Sequence, residues 1–188
     1  MKNALLIIFG IIPVLSFSQK FEISKNYIFN DIEPLRTSEY FSVADSIRDP
    51  LIIKIREKSN GEVKEEIEIF SAESFCSVCI HEQELTGYKN VTSAVRVGYD
   101  YCGCCSEVYE TTYLVTKKGK WIPFPEVIYH TCDYPEEKPA FRFGSDNGPV
   151  VQEIQKVTEF RNNQGDLYNS KILETYLWNG KFIVKKED

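Results

Sequence analysis

Histidine is scarce in this chain, which contains only His81 and His130 and so offers little material for histidine-based catalysis. The chain also lacks a Gly-x-Ser-x-Gly elbow, a phosphate-binding loop and a His-Glu-x-x-His zinc motif. Positive charge is in deficit as well, because 22 Lys and Arg stand against 28 Asp and Glu, giving a net charge of −6. Nucleic-acid binding depends on Lys and Arg neutralising phosphates, so this balance argues against a nucleic-acid partner. We therefore expect no catalytic residues, and the sequence favours a non-enzyme while leaving enzymatic activity open.

The first 18 residues have the layout of a secretory signal peptide. A short positive start over residues 1–3 precedes an apolar stretch over residues 4–15, and Ser16 and Ser18 supply small residues for cleavage after Ser18. No later apolar run is long enough to span a bilayer, so we expect no integral membrane segment after signal cleavage. The sequence thus predicts an exported protein, periplasmic or extracellular in a bacterium.

The remaining residues, 19–188, have the size and composition of a single secreted, β-rich domain. With 43% apolar and 13% aromatic residues, the chain has too much core-forming material for intrinsic disorder. Residues 19–50 are interpreted as an N-terminal extension that carries one short amphipathic helix, beginning at Pro34 and ending before Pro50. Its apolar positions are Tyr40, Val43, Ala44 and Ile47.

Alternating apolar and polar residues predict antiparallel hairpins along the domain. The alternation runs over residues 51–58 and 63–70, and Asn60-Gly61 between them suits the positive φ angles of a type I′ turn. Further hairpins are predicted for residues 108–129, through a Lys-Lys-Gly turn, and for residues 171–185, through Asn-Gly. Pro123 and Pro125 cannot donate to a ladder of hydrogen bonds, so we expect their strand at a sheet edge.

The last two hairpins resemble each other, and each follows another strand candidate, at residues 94–99 and 154–160. A duplicated three-stranded meander is therefore possible. Residues 74–85 are left open between helix and loop, and residues 150–157 fit either a strand or a helix opened by Pro149. The fold class is predicted as mainly β, an antiparallel meander or hairpin sheet forming a sandwich or half-open barrel, with one or two short helices.

Six cysteines lie between residues 76 and 132, and they are the main candidates for chemical function in this chain. Exported proteins meet an oxidising environment, where an even number of cysteines is typical of structural disulfides. Each bridge would contribute about 2–4 kcal/mol by constraining the unfolded chain, although the sequence does not choose among the possible pairings. The disulfide candidates are Cys76, Cys79, Cys102, Cys104, Cys105 and Cys132.

A metal site is the first alternative use of the cysteines. Two C-x-x-C pairs, which begin at Cys76 and Cys102, offer four thiolates at the spacing that tetrahedral zinc requires, and thiolates also suit Cu(I). Each histidine lies two residues from a cysteine, so mixed ligation is conceivable. We expect no cofactor, with zinc or copper as the alternative, and the ligand set of that alternative is Cys76, Cys79, Cys102, Cys105, His81 and His130.

Thiol redox catalysis is the second alternative. The stretch from Ile67 to Cys79 reads as a strand running into C-x-x-C, which resembles the strand–motif–helix unit of thioredoxin-like proteins over about 20 residues. This resemblance implies that Cys76 would attack a substrate disulfide and Cys79 would resolve the mixed disulfide, with the thiolate stabilised at a helix N-terminus. No βαβ alternation follows the motif.

Tyrosines near the cysteines are candidates for a binding surface, because tyrosine suits protein interfaces, although cross-strand packing explains them as well. The leading hypothesis is an exported, non-catalytic β-protein that binds a protein or cell-envelope ligand, with cysteine-bearing loops braced by disulfides. The candidate binding aromatics are Tyr99, Tyr101, Tyr109 and Tyr113.

Overall fold

The computed structural model describes residues 22–34, 51–69, 75–101, 103, 105–131, 136–144, 152–162 and 164–187. These residues form thirteen β-strands in three antiparallel sheets. Among them no helix is long and apolar enough to cross a bilayer. The strands are β1 Glu22–Ile23, β2 Tyr27–Pro34, β3 Leu51–Glu57, β4 Val63–Ile69, β5 Phe75–Glu84, β6 Val91–Tyr101, β7 Glu107–Thr116, β8 Trp121–Pro123, β9 Val127–His130, β10 Glu136–Phe143, β11 Gln152–Arg161, β12 Leu167–Trp178 and β13 Ile183–Lys185.

The sheets follow the chain order closely. The central sheet has the order β1-β5-β6-β7-β8, and β9 pairs with the other half of β7. Strands β2, β3 and β4 form the N-terminal sheet, and β10 to β13 form the C-terminal sheet in sequential order. All strand pairs are antiparallel. The prediction of a mainly β, antiparallel fold is therefore confirmed.

The three predicted hairpins are present. β3 pairs with β4 around a turn in which Gly61 has a φ of +72°, but Asn60 does not adopt a positive φ, so the turn is not the predicted type I′ turn. β7 pairs with β8 and β9, and β12 pairs with β13 around Gly180, whose φ is +93°. The strand candidates that precede the last two hairpins are β6 and β11, so both predicted meanders exist as paired strands.

Prolines occupy sheet edges, as expected for residues without a backbone donor. Pro123 ends β8, and the stretch that includes Pro125 separates β8 from β9 along the same edge of the central sheet. Pro139 lies in β10, the edge strand of the C-terminal sheet.

The expected short helices are not found in the part of the chain that the structure describes. Residues 75–84 form β5, which pairs with β1 and β6, so strand pairing on both sides decides a segment that the sequence left open. Residues 152–161 form β11 and not a helix. The helix predicted to begin at Pro34 falls on residues 35–50, which lie outside the described residues. Within the predicted N-terminal extension, β1 and β2 already belong to the central and N-terminal sheets.

The central sheet has a hydrophobic cluster on each face. On one face, Ala94 and Leu114 join side chains of the C-terminal sheet such as Phe141, Ile154 and Trp178. On the opposite face, buried positions of β6 and β7 pack against the N-terminal sheet, through a set that includes Tyr27, Ile55, Val95, Val97, Tyr113 and Val115. Because neither face of β6 and β7 is open, these strands are the most buried in the described chain.

Candidate functional site

The cysteines take different roles in the structure. Cys76 lies at a bulge in β5, where the register shifts between Phe75 and Ser77, and it is disulfide-bonded. Cys105 is also disulfide-bonded, whereas Cys79 is a free thiol. The prediction that every cysteine forms a bridge therefore does not hold for Cys79. The other three candidates, Cys102, Cys104 and Cys132, lie outside the described residues, and their pairing stays a prediction.

The C-x-x-C motif that begins at Cys76 is not at the start of a helix, as the thioredoxin-like resemblance would require. β5 continues through both cysteines to Glu84. Three residues along a strand span about 10 Å, which exceeds the Cα separation that a disulfide tolerates. The helix N-terminus that would stabilise a thiolate is likewise absent at this motif. The geometry thus gives no support to Cys76 and Cys79 acting as a redox pair.

Cys79 is partly buried, and its side chain lies close to the neighbouring strand β6. It lies opposite Gly98 in the pairing of β5 with β6, and its Sγ is 3.0 Å from where a Cβ on Gly98 would stand. Burial raises the pKa of the Cys79 thiol, and the nearby carboxylate of Glu110 raises it further. Since the thiolate is the reactive form, the raised pKa is expected to make the Cys79 thiol slow to react at neutral pH.

We therefore expect Cys79 in the folded protein to react with iodoacetamide much more slowly at neutral pH than Cys79 in the chain unfolded by denaturant. Mass spectrometry of the labelled, digested protein measures both rates, with the reductant left out so that disulfides stay intact. Rapid labelling of the native thiol would contradict the burial and the raised pKa described above.

A buried charge cluster lies next to Cys79, between the central and C-terminal sheets. Glu110 is 3% exposed, and its Oε2 lies 3.4 Å from Nε of Arg96 and 3.7 Å from Nζ of Lys138. Burial raises the pKa of Glu110, and the two cations oppose this shift. A carboxylate enclosed by two cations balances charge across the sheet interface, which is a structural role.

The residues proposed as metal ligands are not assembled in the described chain. Cys76 and Cys105 are already in disulfides, and no group of three or more metal-ligating side chains is found among the described residues. Burial lowers the pKa of His81, and so do Arg96 and Lys138, two cations that would also repel a metal ion. His130 is exposed at the end of β9. The zinc or copper alternative stays a prediction that depends on cysteines outside the described residues.

Three of the four candidate tyrosines come together on the central sheet. Tyr99 stacks on Tyr109 with ring centroids 5.1 Å apart, and Tyr101 contacts both rings edge to face at 5.9 and 5.7 Å. Tyr113 is separate and buried, with its ring 4.9 Å from that of Trp121. Because the three clustered rings pack against one another, the arrangement favours packing over an open aromatic surface.

A groove with a strongly positive rim lies at the opposite end of β6 and β7 from these tyrosines. It is formed by the turns after β5, β7 and β12, encloses about 740 Å³, and has Trp178, Ile122 and Phe182 on its apolar side. We call it the lysine groove, after the five exposed lysines that line it: Lys89, Lys117, Lys118, Lys120 and Lys181.

Hydrogen bonds tie the three turns of the lysine groove together. The indole Nε1 of Trp178 donates to the carbonyl oxygen of Lys89 at 2.8 Å. The side-chain amide of Asn90 donates to the carbonyl oxygen of Gly180 at 3.2 Å, and the backbone N–H of Lys117 donates to the carbonyl oxygen of Asn90 at 2.9 Å. The lysines therefore project from one connected backbone unit.

The charge of the lysine groove is not balanced locally. No acidic residue is among the described residues that line it, and within the described chain Lys117, Lys118, Lys120 and Lys181 form no ion pair. Other lysines do: Lys185 lies 2.7 Å from Glu174, and Lys186 lies 3.0 Å from Glu153. A groove in which four exposed lysines form no ion pair within the described chain has a positive potential that would attract anions.

A second groove, of about 690 Å³, lies beside β1 and is a weaker candidate. Its lining mixes Lys25 with acidic residues that include Glu57 and Glu82. The carboxylate of Glu82 already accepts hydrogen bonds from Ser24 and from Asn26, at 3.0 to 3.1 Å. The carboxylate of this second groove is therefore already used in hydrogen bonds within the fold.

Sequence reasoning missed the lysine groove because its lysines come from turns that are far apart in the chain. A signal was present in the two hairpins that resemble each other, since both carry Gly-Lys in the turn. Only the pairing of the strands shows that these turns meet at one end of the molecule. Comparison of the chain with protein-family models, with curated proteins and with solved structures found no match.

Proposed function

We propose that this chain is an exported, non-catalytic β-protein that binds an anionic protein or cell-envelope ligand in the lysine groove. The observation that carries the proposal is the convergence of five exposed lysines, without an acidic neighbour among the described lining residues, around a concave and partly apolar surface. The packed sheets act as a β-sandwich scaffold that presents the turns, and disulfides brace the cysteine-bearing loops at the far end.

Chemistry of the described residues supports binding over catalysis. The free thiol is half-buried with a raised pKa, the buried carboxylate of Glu110 is enclosed by cations, and His81 has a lowered pKa beside two cations. None of these groups opens into the lysine groove, whose lining offers ammonium groups, amides and apolar side chains. Such a lining recognises charge and shape, and it provides no base or nucleophile.

Export is part of the proposal and is supported by the sequence pattern of residues 1–18. The disulfide bonds of Cys76 and Cys105 fit an oxidising compartment. In a bacterial envelope, phosphate and carboxylate groups are the abundant anions that such a groove would meet, which is why we favour a ligand with several negative charges.

The test is binding of linear polyphosphate, a ligand with many negative charges, followed by the fluorescence of the two tryptophans. We expect Lys117→Gln/Lys120→Gln to weaken binding about thirty-fold, because each lysine near an anionic surface contributes about 1 kcal/mol. Binding should also weaken steeply with added salt, since exposed charges are screened.

The matched control is Lys156→Gln/Lys171→Gln, which removes the same charge from β11 and β12 outside the groove lining. This variant should bind polyphosphate nearly as well as the unmodified protein. Equal loss of affinity in both double variants would show that net charge, and not the lysine groove, governs binding. Absence of any polyphosphate binding would refute the proposal.

A further inference from the structure

Beside the lysine groove, the structure exposes apolar side chains that a purely ionic ligand would not need. Phe182 is 56% exposed and Val184 is 51% exposed, whereas Trp178, which also lines the groove, is 1% exposed. Phe182 lines the groove immediately before β13, and Val184 lies within that strand. The rim of the groove therefore combines positive charge with a small apolar ridge.

Phe182 is held in this exposed position by the turn that precedes β13. The side-chain oxygen of Asn179 accepts hydrogen bonds from the backbone N–H groups of Lys181 and Phe182, both at 2.9 Å. Gly180 adopts the left-handed conformation that the turn requires. The ammonium of Lys181 lies 5.0 Å from the ring centroid of Phe182, so a cation and an exposed ring share one tip.

We infer that the lysine groove and Phe182 together dock on the surface of a bilayer rich in anionic phospholipid. This inference rests on the proposed function and names its ligand class. Lysines attract anionic headgroups, while an exposed aromatic ring gains free energy by entering the boundary between headgroups and acyl chains. Long lysine side chains can lie along apolar surface and still keep the charge at the headgroup level.

The positive charge of the groove and its exposed apolar side chains favour a bilayer surface over free phosphate and over an acidic peptide. Free phosphate would use the lysines and leave Phe182 and Val184 in water. An acidic peptide without apolar side chains would likewise be bound by charge alone. A bilayer surface is the occupant that uses both parts, because it presents anionic groups above an apolar layer. The lysines and Phe182 lie on turns that line the same groove, so one ligand surface can contact several of them.

The experiment measures co-sedimentation of the protein with vesicles of equal parts phosphatidylglycerol and phosphatidylcholine, and with vesicles of phosphatidylcholine alone. We expect binding to the mixed vesicles and little binding to the neutral ones. Phe182→Ala should weaken vesicle binding about ten-fold, as expected for partial burial of one aromatic ring, and should weaken polyphosphate binding much less, because polyphosphate has no apolar part to bury the ring.

Tyr168→Ala is the matched control, because Tyr168 is a ring with 58% exposure near the start of β12 and outside the groove lining. It should leave vesicle binding unchanged. Polyphosphate binding without vesicle binding would overturn the membrane inference and leave the proposed function standing. Vesicle binding that does not respond to Phe182→Ala would overturn it too, as would binding of polyglutamate in place of vesicles, which indicates an acidic protein partner. Failure of all anionic probes would overturn both proposals.

Discussion

Replacement of Trp178 by alanine is expected to lower the free energy of unfolding by about 3–5 kcal/mol. Trp178 is 1% exposed and is the largest fully buried side chain of the described chain. It belongs to the hydrophobic cluster between the central and C-terminal sheets, so alanine would leave a large cavity there. The hydrogen bond from its Nε1 to the carbonyl oxygen of Lys89 would be lost as well.

Two further variants separate packing from hydrogen bonding in this prediction. Trp178→Phe keeps much of the apolar contact but removes the Nε1 donor, and we expect it to cost about 1–3 kcal/mol. Phe182→Ala, on the exposed side of the adjacent turn, should change stability by no more than about 0.5 kcal/mol. Urea unfolding followed by circular dichroism measures all three. A Trp178→Ala variant as stable as the unmodified protein would contradict the described burial.

Replacement of Gly98 by valine is expected to lower the free energy of unfolding by about 2–3 kcal/mol, because the new side chain would press against the side chain of Cys79. The new Cβ would stand 3.0 Å from Sγ of Cys79, close to the backbone oxygen of Tyr109 at 3.6 Å and to Cγ of Glu110 at 3.9 Å. Glycine in a strand interior normally weakens the strand, and here it allows the close approach of a neighbouring side chain.

A double-mutant cycle identifies the clash as the cause. Cys79→Ala removes the sulfur that the valine would strike, so Gly98→Val/Cys79→Ala should be more stable than the sum of the single changes predicts, by about 0.5–3 kcal/mol. Denaturant unfolding of the four proteins gives this coupling energy. Strict additivity would mean that Cys79 is not what restricts position 98.

Much of the fold could be predicted from short-range patterns. Alternation with Asn-Gly located the β3–β4 and β12–β13 hairpins, and proline located the β8–β9 edge, because these signals act within a few residues. Strand β5 could not be predicted in this way. Its polarity does not alternate clearly, and its conformation is decided by pairing with β1 and β6, which are distant partners.

The candidate site was less predictable than the fold. The spacing of the cysteines predicts chemistry, yet Cys79 is a half-buried free thiol packed against Gly98. The lysines looked like ordinary turn residues, since turns are usually polar. They form a candidate site because Lys89, Lys117 and Lys181 come from three turns that are far apart in the chain and line one groove. This is a long-range property that local sequence patterns do not contain.

The hydrogen bonds between the three turns have a thermodynamic consequence for recognition. Fixing the backbone of one residue costs about 1–2 kcal/mol of conformational entropy, and loops that order on contact with a ligand lose this amount at that moment. Here the turns carrying Lys89, Lys117 and Lys181 are already fixed to one another when the chain folds. If the groove binds an anionic partner as proposed, association would order lysine side chains alone, at a lower entropic cost than the ordering of mobile loops of the same composition.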